Sequence, residues 1–286
     1  VTTNQAVTLT NDVSAPTVSS VALASGVSGV KKIGDVIPIE VTFNEVVVVA
    51  GGSPTLELET GTTDGTATYA SGSGTATLTF NYTVANTHVT NDLNYKATTS
   101  LANPAGVTIR DNLGTDATLT LAATNHGSNA LGSAQNLEID GVIPTVSNYA
   151  ATAGTNVITL TMSENVISSA TASTLAGDFT VTVNTVAKTV SSVAPANGDS
   201  ATTSLVLTMA EAIPNDATVT VAYAQDSSNS INGSNGGNLV ASISSPQNVT
   251  ITNDNTRPTI TNVSGPDGTY SDGDVVALNV TFSEVV

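Results

Sequence analysis

Residues 75–84 read TATLTFNYTV, and the chain repeats that grammar along its length. Successive side chains on a strand point to opposite faces, so an apolar residue at every second position builds one buried face only as β-structure. The same period of two runs through TLELE (55–59), TATYA (66–70), ATLTL (117–121), VITLTM (157–162), FTVTV (179–183), SLVLTM (204–209) and ATVTVAY (217–223). Turn formers separate these runs, as in GSG at 72–74 and NGSNGG at 232–237. Many short strands with frequent turns predict an all-β fold of antiparallel sandwiches. Two short stretches, 92–99 and 169–176, suit a helical turn and leave the class unchanged.

A second pattern sets the organisation. QAVTLTND at 5–12 returns as QNVTITND at 247–254, and GDVIPIEVTFNEVV at 34–47 returns as GDVVALNVTFSEVV at 273–286. A fainter echo, PTVSNY then VITLTMSENVI, lies between them at 144–149 and 157–167. The array therefore reads as two alternating domain types. The expected boundaries are a last strand of one domain (1–12), a complete sandwich (13–140), a second and distinct sandwich (141–254), and the first strands of another (255–286). The two whole units have the size usual for such domains.

Each boundary carries the same phrase: Asp, three residues, then Pro-Thr. It occurs as DVSAPT from Asp12, DGVIPT from Asp140 and DNTRPT from Asp254. Proline fixes φ and biases its predecessor to an extended form, so these joints are predicted to be semi-rigid. A Glu follows each at the end of the second strand: Glu45 in VTFNEVV, Glu164 in LTMSENV and Glu284 in VTFSEVV. The second strand runs back against the first, so this Glu is expected near the linker Asp.

Two carboxylates meeting without a basic partner repel, and a hard cation resolves the repulsion; Ca²⁺ takes six to eight oxygen ligands. Loop acids are candidates to complete the shell, namely Asp92 with Asp111 or Asp116 in the first domain and Asp226 in the second. The alternative is that each Asp caps a turn and each Glu is a solvated strand end. Recurrence at three joints favours Ca²⁺.

The linker phrase, the VTFxE strand and the TATLTFNYTV hairpin resemble bacterial Ig-like repeats of giant surface adhesins. The second unit, with VITLTMSENV, LVLTMAEAI and ATVTVAYAQD, resembles the repeat of very large bacterial cell-surface proteins linked to motility. The resemblance implies tandem Ig-like sandwiches in an extended extracellular or cell-surface array, with Ca²⁺ stiffening a stalk at the linkers. One departure is the loop QDSSNSINGSNGGN (225–238), which keeps Asp226 and few other carboxylates.

Other function classes find little support. The chain has 6 basic against 23 acidic residues and a net charge of −17. Nucleic acid and anionic membrane need clustered Lys and Arg, so neither is an expected partner. No run is long and apolar enough for a transmembrane helix, and the opening VTTNQAVTLTND lacks the pattern of a signal peptide, so the chain reads as an excerpt. There is no Cys, so stiffening must come from something other than disulfides.

No catalytic motif occurs, and His88 and His126 read as exposed loop residues; the chain is expected to be no enzyme. Glu57 and Glu59 read as the exposed face of a strand. Lys31, Lys32, Lys96 and Lys188 are candidates for an intramolecular amide bond that no spacing selects. With no Trp, a glycan platform is disfavoured. The expected role is a calcium-stiffened structural segment partnered by neighbouring domains of its own chain. The alternatives are a self-assembling surface layer, sheath or filament of identical chains, and an adhesin module that binds a glycan or host protein through its loops.

Overall fold

The computed structural model describes residues 14–123, 130–133, 136–226, 230–252 and 257–283. The chain is all-β and sandwich-type, built from mainly antiparallel sheets. Among the described residues the helical elements are the short helix Ala172–Ala176 and a 3₁₀ turn at Leu131–Ser133. Thr171 caps the helix by accepting the Thr174 N–H, as an N-cap hydroxyl should. The stretch 92–99 holds a short strand, Asn94–Tyr95, and no helix. There are two compact units. One is Val1–Ile143 with Asn235–Asn238, and the other is Pro144–Ser234 with Leu239–Val286.

In the first unit the long strand Val36–Ala50 is the spine. It lies between Val18–Leu23 and Thr75–Thr83, and the sheet continues through Gly65–Ser71 and Thr55–Glu59 to Asn94–Tyr95. The alternation read in the sequence appears directly as burial: Ile37, Ile39, Val41 and Phe43 are sealed from solvent while their neighbours are not. Leu78 and Phe80, paired with Val41 and Ile39 on the next strand, and Leu56 and Leu58 share that core, all fully buried. Burying such a side chain stabilises by roughly 1.5–3 kcal/mol. A smaller sheet places Ile139–Asp140 between Lys31–Lys32, in parallel, and Val89–Thr90, antiparallel.

His88 fixes the turn before that small sheet, and here the expectation of an exposed loop histidine fails. The residue is 8% exposed, and its ring stacks on Tyr82 with centroids 5.8 Å apart. Its Nδ1 lies 2.8 Å from the Tyr82 hydroxyl and 3.4 Å from the Ala85 nitrogen. A backbone N–H can only donate, so Nδ1 is the unprotonated, accepting nitrogen. Burial lowers the His88 pKa against the opposing pull of Asp64, and burial pushes the Tyr82 phenol up to about 12, against a hydrogen bond with Thr60. His126 lies outside the described residues.

The His88 carbonyl accepts the Gly141 N–H at 2.7 Å, and the Thr87 N–H donates to the Gly141 carbonyl at 2.9 Å. A Cβ at position 141 would stand 2.4 Å from the Ala85 carbonyl oxygen. Only glycine fits there.

In the second unit the spine is Val157–Ser168, flanked by Val146–Thr152 and Thr202–Met209. Thr250–Thr252 adds in parallel to the outer side of Val146–Thr152. Facing it is a four-stranded sheet in the order Val186–Lys188, Phe179–Val183, Val219–Tyr223, Ile243–Asn248. Ile158, Leu160, Leu207 and Val221 form the dry centre, and Phe179 stacks on Tyr223 at 4.8 Å. The edges of this sheet are blunted, one by Pro246 and the other by Lys188, which discourages pairing with another chain. Beyond these strands, Ile260–Ser264 and Asn279–Phe282 form an exposed antiparallel hairpin.

Two outcomes follow for the first unit. Gly141→Ala should cost about 3 kcal/mol or more through the clash with the Ala85 carbonyl, read by chemical denaturation. Because the folded pKa of His88 is lowered, its contribution is complete above the unfolded value of about 6.5 and declines as pH falls through that value. His88→Gln should remove this segment of the stability–pH profile.

Candidate functional site at the entry of each unit

The phrase Pro-Thr opens the first strand of each unit, and the same two hydrogen bonds hold it each time. The Thr17 N–H donates to Asn44 Oδ1 at 2.7 Å, and the Asn44 N–H returns to the Thr17 carbonyl at 3.0 Å. The Thr145 N–H donates to Ser163 Oγ at 3.0 Å, with the Ser163 N–H returning at 2.8 Å. The Thr259 N–H donates to Ser283 Oγ at 3.0 Å, with the Ser283 N–H returning at 2.8 Å. Proline offers no N–H of its own, so the following Thr is the first residue able to anchor the strand.

The register then slips identically in all three hairpins. Val18 pairs with Phe43 but Ser20 with Thr42; Val146 pairs with Met162 but Asn148 with Thr161; Ile260 pairs with Phe282 but Asn262 with Thr281. The bulged hydroxyls of Ser147 and Thr261 each donate to the opposing carbonyl, of Thr161 and Thr281, at 3.0 Å.

The clamping residue immediately precedes the recurring Glu. Glu45 and Glu164 sit where the spine strand leaves one neighbour for another. Pairing of the first spine with Thr75–Thr83 breaks between Thr42 and Val47, after which Val48–Ala50 pairs with Thr108–Arg110. The second spine breaks between Thr161 and Val166, after which Val166–Ser168 pairs with Ile231–Gly233. Such bulges re-aim a side chain. Around Glu164 the aim is visible: a Cβ built on Gly233 would lie 3.1 Å from its Oε2 and 3.3 Å from the Pro144 ring. Asp12, Asp254 and Glu284 lie outside the described residues.

Asp140 falls in the first unit and Glu164 in the second. Asp140 is 6% exposed and its Oδ1 accepts the Val142 N–H at 3.0 Å, a turn-capping bond. Its carbonyl accepts from Asn238 Nδ2 at 2.6 Å, while Asn238 Oδ1 takes the Ile33 N–H at 3.0 Å. Both partners belong to the same first unit.

The loop acids have varied surroundings. Asp111 Oδ1 accepts the N–H groups of Leu113 and Thr115 at 2.8 and 2.7 Å. Burial raises the Asp111 pKa, yet the hydrogen bonds from Thr115, Leu113 and Gly114 together hold it below the ordinary value. Asp116 pairs with Arg110 Nε at 2.6 Å. Asp92 lies beside the backbone of Gly132, whose added Cβ would be 3.0 Å from Asp92 Oδ2. Among the described residues no group of three or more His, Cys, Asp or Glu is arranged to hold a metal ion.

One acid was invisible in the sequence. Asp178 accepts the Ala224 N–H on its carbonyl at 2.9 Å, at the end of the Phe179–Tyr223 pairing, which brings it towards Asp226. Its Oδ2 and the Tyr223 hydroxyl are buried without a hydrogen-bond partner. Burial raises the Asp178 pKa, and the charge of Asp226 raises it further. The approach depends on a strand pairing that joins residues far apart in sequence.

Lys96 bridges Asp64 and Glu57, the latter at 3.3 Å. Glu57 thus belongs to an ion pair, while Glu59 stays on the exposed face. Hydrogen bonds to Asp64 and Glu57 raise the Lys96 pKa. Among the described residues no helix is long and apolar enough to cross a membrane.

These features define a class: sandwich units in tandem, each opened by the same proline-anchored hairpin. Comparison with protein families agrees with it. Residues 139–228, which run from the last strand of the first unit through most of the second, match a family model described as "Putative flagellar system-associated repeat", a bacterial repeat family. No curated protein matches the chain.

Asp178→Asn should stabilise the second unit in chelator, because it removes a buried charge facing Asp226. Thermal unfolding at pH 7 and pH 4 checks this: the gain should shrink as Asp178 becomes protonated in the parent.

Proposed function

We propose that this chain is a structural segment of a large, repeat-bearing bacterial cell-surface protein, in which tandem sandwiches form an extended stalk stiffened by Ca²⁺. The observation that carries this reading is the threefold recurrence of one entry: proline, anchored Thr, clamping Asn or Ser, then Glu. A fold that rebuilds the same joint at each unit is suited to transmitting direction from one unit to the next. The match of residues 139–228 to a flagellar system-associated bacterial repeat family supports a surface context.

The charge balance of −17 supports the cation, since carboxylates at successive joints have few basic residues to neutralise them. Asp12, Asp140 and Asp254, with Glu45, Glu164 and Glu284, are the donors this reading assigns to the joints. Ca²⁺ supplies charge neutralisation and a fixed set of oxygen contacts there. Catalysis has no part in the proposal; the described histidine, His88, is engaged as a buried acceptor.

Lateral assembly into a layer or filament is the weaker reading because Pro246 and Lys188 blunt the edges of the second unit's smaller sheet. A loop-binding adhesin is weaker too. The groove of about 620 Å³ lined by Thr145, Ser147, Tyr149, Ser242 and Gln247 holds no charged side chain and one aromatic.

Small-angle scattering of the whole chain, in calcium and after chelation, is the direct test. The expected result is a monodisperse particle whose maximum dimension is longer and better defined in calcium. An unchanged profile would sink the calcium part, and concentration-dependent growth would favour the lattice.

A further inference from the structure

The spines of the two units match in their pattern of strand pairing. Val47 and Val166 are equivalent, since each resumes pairing after the break, with Thr75 and Thr202 respectively. Glu45 and Glu164 stand two residues earlier in each. On the neighbouring strand Ile109 pairs with Val49, and Ile231 with Ser168; both isoleucines are sealed in their cores. Two residues on, opposite Val47 and Val166, stand Asp111 and Gly233.

The loops that follow confirm the equivalence. Ala117 N–H bonds to the Ile109 carbonyl at 2.9 Å, as Val240 N–H does to the Ile231 carbonyl at 2.9 Å. Thr118 N–H bonds to the Pro16 carbonyl at 2.7 Å, as Ala241 N–H does to the Pro144 carbonyl at 3.2 Å.

The direction of a side chain at this position is therefore known. The Cβ vector of Gly233 points at the Glu164 carboxylate and the Pro144 ring. By that equivalence, a side chain at Asp111 is directed towards the corresponding place in the first unit, that of Glu45 and Pro16. Asp111 is only 6% exposed, and while its Oδ1 closes the loop, its Oδ2 is buried with no hydrogen-bond partner. A buried ionised oxygen left without a donor costs heavily. The nearby Arg110 is engaged by Asp116.

We infer that Glu45 and Asp111 form a divalent-cation site of the first unit, of the hard, all-oxygen kind that takes Ca²⁺, and that the second unit lacks it because Gly233 replaces the aspartate. The inference rests on the calcium reading above and narrows it: units of the first type carry this site, units of the second do not. Two carboxylates with water and carbonyl oxygens place the affinity in the range of extracellular calcium modules, roughly 10⁻⁴–10⁻³ M.

The test is calorimetric titration of the whole chain with CaCl₂. Asp111→Asn keeps an acceptor for the Leu113 and Thr115 N–H groups, so thermal unfolding in chelator should be unchanged while the calcium stoichiometry falls by one. Gly233→Asp sets a carboxylate beside Glu164 and should raise the stoichiometry by one; it also reads out the geometry should Asp111→Asn fail to fold. Calcium binding by the parent with neither variant altering the count would overturn this site and leave calcium at the linkers standing. Absence of any calcium binding by the parent would overturn both.

Discussion

Everything at the start of a unit depends on a proline that cannot donate and a threonine that must. With no N–H from Pro16, Pro144 or Pro258, the first strand has no ladder bond until Thr17, Thr145 or Thr259, and each is held by a side chain on the returning strand. That side chain is Asn once and Ser twice. What the three share is a short polar side chain whose oxygen accepts while its own backbone N–H returns the bond. The clamp fixes the register of the hairpin, and the bulge one residue later follows from it. A one-residue slip would send Val21, Val41 and Phe43 to the solvent side. Fixed entry, fixed register and a filled core are one constraint seen at three scales.

The strands were legible because β alternation is local. TATLTFNYTV and VITLTM became core strands with their apolar residues inward, and the antiparallel return that brings Glu45 and Glu164 back to the entry followed from strand order alone. The clamp was equally present in the sequence, one residue before each Glu, but an ionisable residue draws the eye and its uncharged neighbour does not. His88 was misread because its surroundings, ANTHVT, are polar. Its burial comes from Tyr82 beneath it and Gly141 across from it, and the second of these is distant in sequence. Asp178 escaped for the same reason, since only the pairing of Phe179 with Tyr223 reveals what it faces. Among the loop acids, Asp111 and Asp116 look alike in DNLGTD, yet one is buried in its own turn and the other holds Arg110 at the surface.

The two units share a plan and differ in electrostatics. In the first, two of the cations form surface ion pairs, Lys96 with Asp64 and Glu57, and Arg110 with Asp116. Exposed pairs of this kind contribute about 0–1 kcal/mol each, so they shape loops more than they hold the fold. The second has Lys188 with Glu211 and an acid pair, Asp178 and Asp226, that raises a pKa instead of satisfying a charge. Apolar packing carries both units, and the polar residues decide how the ends are shaped.

The composition of the first unit also bears on the order in which it can be made. Asn238 binds the Ile33 N–H and the Asp140 carbonyl, yet it lies far downstream of Ile143, where the unit's main segment ends. Chains emerge from the ribosome N-terminus first. A nascent first unit therefore has its core strands early and these hydrogen bonds late, after most of the second unit has been synthesised. Until then water must stand in for Asn238, and completion of the earlier unit waits on the later stretch of chain.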